Sequence, residues 1–362
     1  MTDRLHRRNR GRHLGRIHAR LLRQRPDVDL VGIVEPQAAA REAASREFWV
    51  PGVADFRALP RTIEAAIVAA PTTCHHALAL QLLRNDVHVL VEKPLTTTSA
   101  EAEELVDVAA RRQRVLQVGH VERFNPALDA ARSRIARPRS IDAVRASGYS
   151  FRSTDIGVVL DLMIHDLDVV LSLVREPVVE VAASGCTAVG PQEDQAQVRL
   201  VFAQGCVANL TASRISQQPQ RVMSIYHDDG LVTIDFQSSI LRCLEPGPRL
   251  RQGVLDVQQL EVEERNQLRE RFFADVLPAE EVVVDKRNAI EDEHSDFVEA
   301  IRQRRAPRVS GLDGLRALDV AERILAQLAS PVRHLRWTPV RSTIPLPESL
   351  PARTPAPLRK AG

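Results

Sequence analysis

The chain has 362 residues, 44% of them hydrophobic and 27% charged, with 49 Lys+Arg against 47 Asp+Glu and a formal net charge of +2. That length suits two or three compact units, and the balance excludes a disordered chain, a collagen-like repeat or a strongly polyanion-seeking protein. Four cysteines (Cys74, Cys186, Cys206, Cys243) lack paired or zinc-like spacing, no signal peptide precedes them, and no apolar run approaches the ~20 residues of a membrane span; a cytoplasmic, membrane-free setting is expected.

The nine arginines among the first 25 residues have no interleaved aromatics, so nucleic acid is not the expected partner. Only three basic residues are lysine: Lys93, Lys286 and Lys360. Where arginine serves nearly every need for a permanent cation, a surviving internal lysine is a candidate for work requiring an amine that can lose its proton.

The segment His13-Leu14-Gly15 supplies the last glycine of a candidate dinucleotide turn and opens a helix. An apolar strand and two earlier glycines should precede it if this is a dinucleotide turn. Instead Arg10 and Arg12 hold the first two glycine positions, and residues 3–9 are polar. Read one base out of register, the codons of residues 6–12 can encode Ile/Thr, Val/Ala, Val/Ala, Ile/Thr, Gly, Ala, Gly, which is the missing strand and turn. Either the usual cofactor turn is lost or this stretch does not report the native reading frame.

Residues 30–34 form an apolar strand ending in Glu35, about 20 residues after the turn. That is where a carboxylate accepts hydrogen bonds from an adenosine ribose and repels a 2′-phosphate, favouring NAD over NADP; the alternative is a carboxylate that caps the loop at Pro36. Helix-like residues 37–48, strand 65–70, helix 77–84, strand 87–91, helix 99–112 with Thr98 or Ser99 as N-cap, and strand 115–118 follow. Continuous apolar strands alternating with helices predict a doubly wound parallel sheet ending near residue 122. At its ligand edge lie Pro71, Thr72 and His75, as ribose-lining or helix-capping residues, and Glu92-Lys93-Pro94, whose lysine can hydrogen-bond a hydroxyl and share in proton transfer.

Beyond residue 122 the texture changes to longer alternating strands at 141–147, 179–187, 196–202, 206–213, 222–226 and 231–236. Helices are expected at 126–135, 161–173, 289–303 and 314–328, the last packing back on the first domain. The predicted layout is a dinucleotide-binding domain over 1–122, a substrate-binding and oligomerisation α+β domain over 123–335 with a large open, mainly antiparallel sheet, and a disordered proline-rich tail over 341–362. Arg123 and Asn125 at the crossing between domains are candidate substrate contacts, the alternative for Arg123 being a linker ion pair with Glu122. On the 161–173 helix, Asp161 and His165 are four apart and share a face that Asp168 continues. A histidine flanked by carboxylates suits a general base at neutral pH, and without a further ligand cluster no metal is expected.

Together the Glu-Lys-Pro turn, the 71–75 loop, the Asp161-x-x-x-His165-x-x-Asp168 helix and Val309-Ser310-Gly311 resemble the glucose-fructose oxidoreductase, inositol dehydrogenase and rhizopine catabolism family, Gfo/Idh/MocA, from about residue 13 to 335. The resemblance implies a Rossmann domain, a C-terminal domain often used to form homo-oligomers, and NAD(P)-dependent oxidation of a sugar or cyclitol hydroxyl, with Lys93, Asp161 and His165 at its catalytic positions. Residues 119–126, 151–157 and 212–214 look closer to a branch of bacterial UDP-N-acetylglucosamine 3-dehydrogenases serving amino-sugar formation for lipid A or surface polysaccharide. Arg152 and Arg214 would there suit a diphosphate, or else form surface ion pairs. A catalytically silent sugar or nucleotide sensor on the same fold is the alternative that Arg10 and Arg12 raise.

Overall fold

A computed structural model of the protein describes residues 9–151, 156–284, 287–330 and 334–336. The tail over 341–362 and Arg152 lie outside the described residues, as does the side chain of His13. The fold is the expected α/β type. Among the described residues, its N-terminal part carries five parallel strands: β1 (Ile33–Val34) beside β2 (Gly52–Val53), and β3 (Ala65–Val68), β4 (His88–Glu92) and β5 (Leu116–Gly119) in that order. Helices α1 (Asn9–Gln24), α2 (Ala38–Phe48), α3 (Thr72–Arg84) and α4 (Ser99–Arg112) alternate with them. Val89, Leu90 and Val91 of β4 are fully buried, as a strand covered on both faces requires. Thr98 caps α4, and Glu101 returns the bond in a capping box.

The C-terminal part is a nine-stranded sheet built from β6 (Pro138–Ala146), β7 (Val178–Thr187), β8 (Gln195–Phe202), β9 (Val207–Ser213), β10 (Gln220–His227), β11 (Gly230–Asp235), β12 (Ile240–Leu244), β13 (Ala279–Val283) and β14 (His334–Arg336). Its order is β13-β12-β11-β10-β6-β9-β8-β7-β14, with every neighbouring pair antiparallel except β6 with β9 and β7 with β14. Alternation along β8 and β9 buries Ala196, Val198, Leu200, Ala208 and Leu210 on one face, in the same core as α5 (Pro126–Arg132), which packs on β11 and β12, and α6 (Ile164–Val174), which packs on β6. Strands β2, β12, β13 and β14 were not expected. The Ala-Glu-Glu-Val-Val run of β13 is an exposed edge without apolar alternation.

Two late helices close the chain, α7 (Ala289–Gln303) and α8 (Gly311–Leu328). Ser310 caps α8, with Asp313 completing a capping box. Val309 and Leu318 join the core around β4 and β5, whereas Val320, Ala321, Ile324 and Leu328 join the core under the large sheet. Gly311 and Gly314 allow the close approach, because a Cβ there would lie 2.6 Å from Leu116 and 2.7 Å from Val118. Among the described residues, no helix is long and apolar enough to cross a membrane.

Candidate active site

Strand β4 ends at Glu92, opposite Gly119 of β5, so Lys93 and His120 emerge side by side at the carboxyl edge of the sheet. The Lys93 side chain is almost fully buried and reaches across to the second domain. Its Nζ donates to the main-chain oxygen of Asp161 at 2.5 Å and lies 3.4 Å from Asp161 Oδ1. The expected α-helix over 161–173 begins differently. Residues Val159–Met163 form a π-helical turn that leads into α6, a local geometry often found at functional sites. Glu193 builds it, accepting the N–H of Val159 on its side chain at 3.2 Å and that of Val158 on its carbonyl at 3.1 Å. Gly157 leaves room for this carboxylate, since a Cβ there would fall 1.9 Å from Glu193 Oε1.

His165 lies at the second position of α6, and its ring meets that of His120 edge-on with centroids 6.3 Å apart. His120 is fully buried, and neither ring nitrogen has a hydrogen-bond partner among the described residues. Burial, reinforced by the charges of Lys93 and Arg123, pushes its pKa down to about 3, so the imidazole is neutral with one donor and one acceptor open. Sequence reasoning missed His120; the available signal was its place directly after β5, equivalent to that of Lys93 after β4.

Behind Lys93, His18 of α1 joins the Glu92 carboxylate at 2.8 Å and His294 of α7 at 2.7 Å. The carboxyl of Glu92 is buried, yet the hydrogen bond and charge of His18, with Lys93, hold it below its ordinary range. Burial drives neighbouring Glu293 the other way, well above the carboxylate range, and drives His294 down to about 3. His18, Glu92 and Glu293 have donor atoms within 4.8 Å of one another, a spacing that also suits a metal ion. The bonds His18 makes in both directions describe a proton-sharing network tying α1 and α7 to the end of β4.

The other candidate residues are distributed as follows. Glu35 directly follows β1 and accepts the N–H of Gln37 at 2.8 Å, so its carboxylate does cap the loop after Pro36. Pro71 is the N-cap of α3 without a side-chain cap bond, and Thr72 is the first helical residue. His75 is buried and its ring bridges the carbonyl oxygens of Ala70 and Pro94 at 2.8 and 2.9 Å, stitching the ends of β3 and β4 together. Gly15 and Leu14 lie in α1, where a Cβ on Gly15 would meet Ala69 at 3.8 Å, an ordinary contact.

Arg123 is buried and donates to Asp168 at 3.2 Å and to the carbonyl of Arg308 at 2.9 Å; the linker ion pair exists with Asp168 in place of Glu122. Burial raises the Asp168 carboxyl to about 7, against the pull of Arg123. Asn125 caps α5 by accepting from Ala127 N at 3.0 Å. Arg214 donates to Asp194 at 2.6 Å and to the Ile156 carbonyl at 2.9 Å, with Tyr149 stacked 5.1 Å from its guanidinium. Its pair with Asp194 is therefore buried and not on the surface.

Comparison with known proteins matches residues 11–120 to the oxidoreductase family with an NAD-binding Rossmann fold, and residues 128–233 to the GFO/IDH/MocA C-terminal domain. The chain belongs to the Gfo/Idh/MocA oxidoreductase family. Among relatives of this family, it is 32% identical over 310 residues to UDP-N-acetylglucosamine 3-dehydrogenase of Acidithiobacillus ferrooxidans, covering 85% of this chain and 92% of that protein. The solved structure of that enzyme superimposes with a TM-score of 0.76 over 87% of this chain and 94% of the other, at 31% identity. Scyllo-inositol 2-dehydrogenase (NAD+) of Bacillus subtilis is 26% identical over 222 residues, 56% of this chain and 65% of the other.

A Gfo/Idh/MocA oxidoreductase takes a nicotinamide dinucleotide, and this chain fits one unevenly. Glu35, the Pro71 to His75 turn and Lys93 stand at the carboxyl edge of the strands where such a ligand lies. The pyrophosphate turn does not fit. Helix α1 already runs from Asn9, so positions 10–12 are helical where a glycine turn should expose its N–H groups.

Proposed function

We propose that this NAD-dependent oxidoreductase oxidises a ring hydroxyl of a nucleotide sugar, of the class of UDP-N-acetylglucosamine at its 3-position, and prefers NAD+ to NADP+. The observation that carries the reading is Lys93 of the first domain lying on Asp161 of the second, with His165 beginning the helix beside it. In this reading His165 takes the proton from the ring hydroxyl. Lys93, buried and held by Asp161, donates to the same oxygen and stabilises its developing negative charge. Hydride acceptance is the chemistry that a nicotinamide cofactor supplies when bound. The Arg123–Asp168 and Arg214–Asp194 pairs are buried braces of the second domain, and the neutral ring of His120 lies buried beside His165. The open face of the nine-stranded sheet, with Tyr226 and Val179 exposed, is the surface for a homo-oligomer.

NAD+ reduction with a panel of UDP-sugars and free cyclitols tests this, using the chain itself and a version bearing Ile-Ala-Val-Ile-Gly-Ala-Gly at positions 6–12. Turnover is expected with a UDP-sugar, and Lys93→Ala or His165→Ala should each lower kcat at least ~1000-fold while leaving the circular dichroism unchanged. Near-normal turnover in both variants refutes the assignment. The helical Arg10 and Arg12 favour a second reading, a silent sugar-nucleotide sensor. UDP-sugar binding without NAD+ binding by either version supports it.

A further inference from the structure

We infer that the central strand and phosphate turn of the first domain are encoded one base out of register with residues 6–12. The described parallel strands do not make one sheet. They form β2-β1 and β3-β4-β5, separate from each other. In a doubly wound order of 3-2-1-4-5-6, these are strands 3-2 and 4-5-6, so the interruption falls at the place of strand 1.

Among the described residues, neither strand that flanks the interruption has a partner on that side. An apolar run over 30–34 predicts a five-residue strand, yet only Ile33 and Val34 pair, and Val34 is 44% exposed. In β3, Ala65, Ala66 and Ile67 are half-buried, whereas Val89, Leu90 and Val91 of β4, paired on both sides, are fully buried. The apolar core parts along the same line: Ala19, Phe48 and Val50 form a small cluster apart from the one around β4 and β5. A parallel strand in that slot would be buried on both faces and should read as a continuous apolar run.

Residues 6–12 as they stand, His-Arg-Arg-Asn-Arg-Gly-Arg, are the opposite of such a run. The neighbouring frame can read Ile-Ala-Val-Ile-Gly-Ala-Gly, which supplies four apolar strand residues. With Gly15, it also completes Gly-x-Gly-x-x-Gly over positions 10–15, which the chain as it stands holds within α1. The match to the Rossmann family begins at residue 11, so residues 6–10 of the segment lie outside it. One displacement thus accounts for the parted sheet, the short β1, the half-exposed β3 and the arginines at two glycine positions.

The test sequences the gene across this segment and compares the chain with a variant carrying His6→Ile, Arg7→Ala, Arg8→Val, Asn9→Ile, Arg10→Gly, Gly11→Ala and Arg12→Gly. Thermal melting should rise on the order of 10 °C as the strand fills its slot. NAD+ affinity, read by isothermal titration without any sugar, should rise at least about 100-fold as backbone N–H groups meet the pyrophosphate. Because the melting shift needs neither substrate nor turnover, it stands apart from the choice of sugar. A gene that encodes residues 6–12 as given with no one-base displacement overturns the inference. So does a variant that gains neither stability nor affinity, or an unaltered chain that already binds NAD+ as tightly.

Discussion

Arg145 offers the sharpest perturbation of the site. It is 4% exposed and lies on β6 beneath the helix that carries His165. Its Nε and Nη2 donate to the two oxygens of Asp166 at 2.9 and 2.8 Å, and its Nη1 donates to Glu122 at 2.8 Å. One guanidinium therefore holds two buried carboxylates, one beside His165 and one on the turn that carries Arg123. Replacing it as Arg145→Met keeps volume but leaves both carboxylates in the interior without a cation, at a cost of about 3–5 kcal/mol. The companion Arg145→Met/Glu122→Gln/Asp166→Asn removes all three charges and should return to within about 1.5 kcal/mol of the parent. Burial already holds the Asp166 carboxyl above its usual range despite Arg145. Without Arg145 the Asp166 carboxyl should take up a proton more readily still, so the deficit should shrink as pH falls from 7.5 to 5. Urea unfolding followed by far-ultraviolet circular dichroism at both pH values measures these differences. A single variant within 1 kcal/mol of the parent at pH 7.5, or a triple variant no better than the single one, would refute the claim that Arg145 acts as a buried counter-ion.

Two further effects follow from neighbouring geometry. Gly157→Ala should cost about 3–5 kcal/mol, because the new methyl displaces the buried Glu193 carboxylate that heads the π turn. Pairing it with Glu193→Ala in a thermal-melt cycle should cost less than the sum of the singles, and strict additivity would show that the two do not collide. His120 and His294 both have folded pKa values lowered to about 3 from 6.5, so the fold favours their neutral forms. Their contribution is complete above pH 6.5 and is lost as pH falls toward 3, at most about 5 kcal/mol for each. His294→Gln should therefore flatten the fall of stability between pH 6.5 and 4, and an unchanged slope would count against this origin.

Elements with strong local signals were legible in the sequence. The fully apolar run of β4, the capping box of α4 and the amphipathic α7 each carry their own pattern, and they fall where expected to within a residue or two. Lys93 was conspicuous through scarcity alone. What stayed hidden depends on residues far apart in the chain. Nothing local pairs Arg123 with Asp168 or Arg145 with Asp166 and Glu122, because only the packing of α6 on β6 and on the 121–124 turn brings them together. The π turn was invisible because Glu193, which builds it, is more than 30 residues away. Asn125 has a local role that the sequence also carried. Asn-Pro is a good N-cap and N1 pair, and the structure uses it to start α5.

Helix α8 bears on how this molecule can move. Leu318 is set in the core of the cofactor-side domain, and Ile324, six residues later on the same rigid rod, is set in the core under the large sheet. Any swing that opened the cleft widely would have to pull one end of that rod from its packing. The halves should instead roll against each other by small amounts about α8 as an axle, and melt in one step. Expressed separately, each would carry an uncovered apolar strip and should aggregate, although the chain changes character near residue 122.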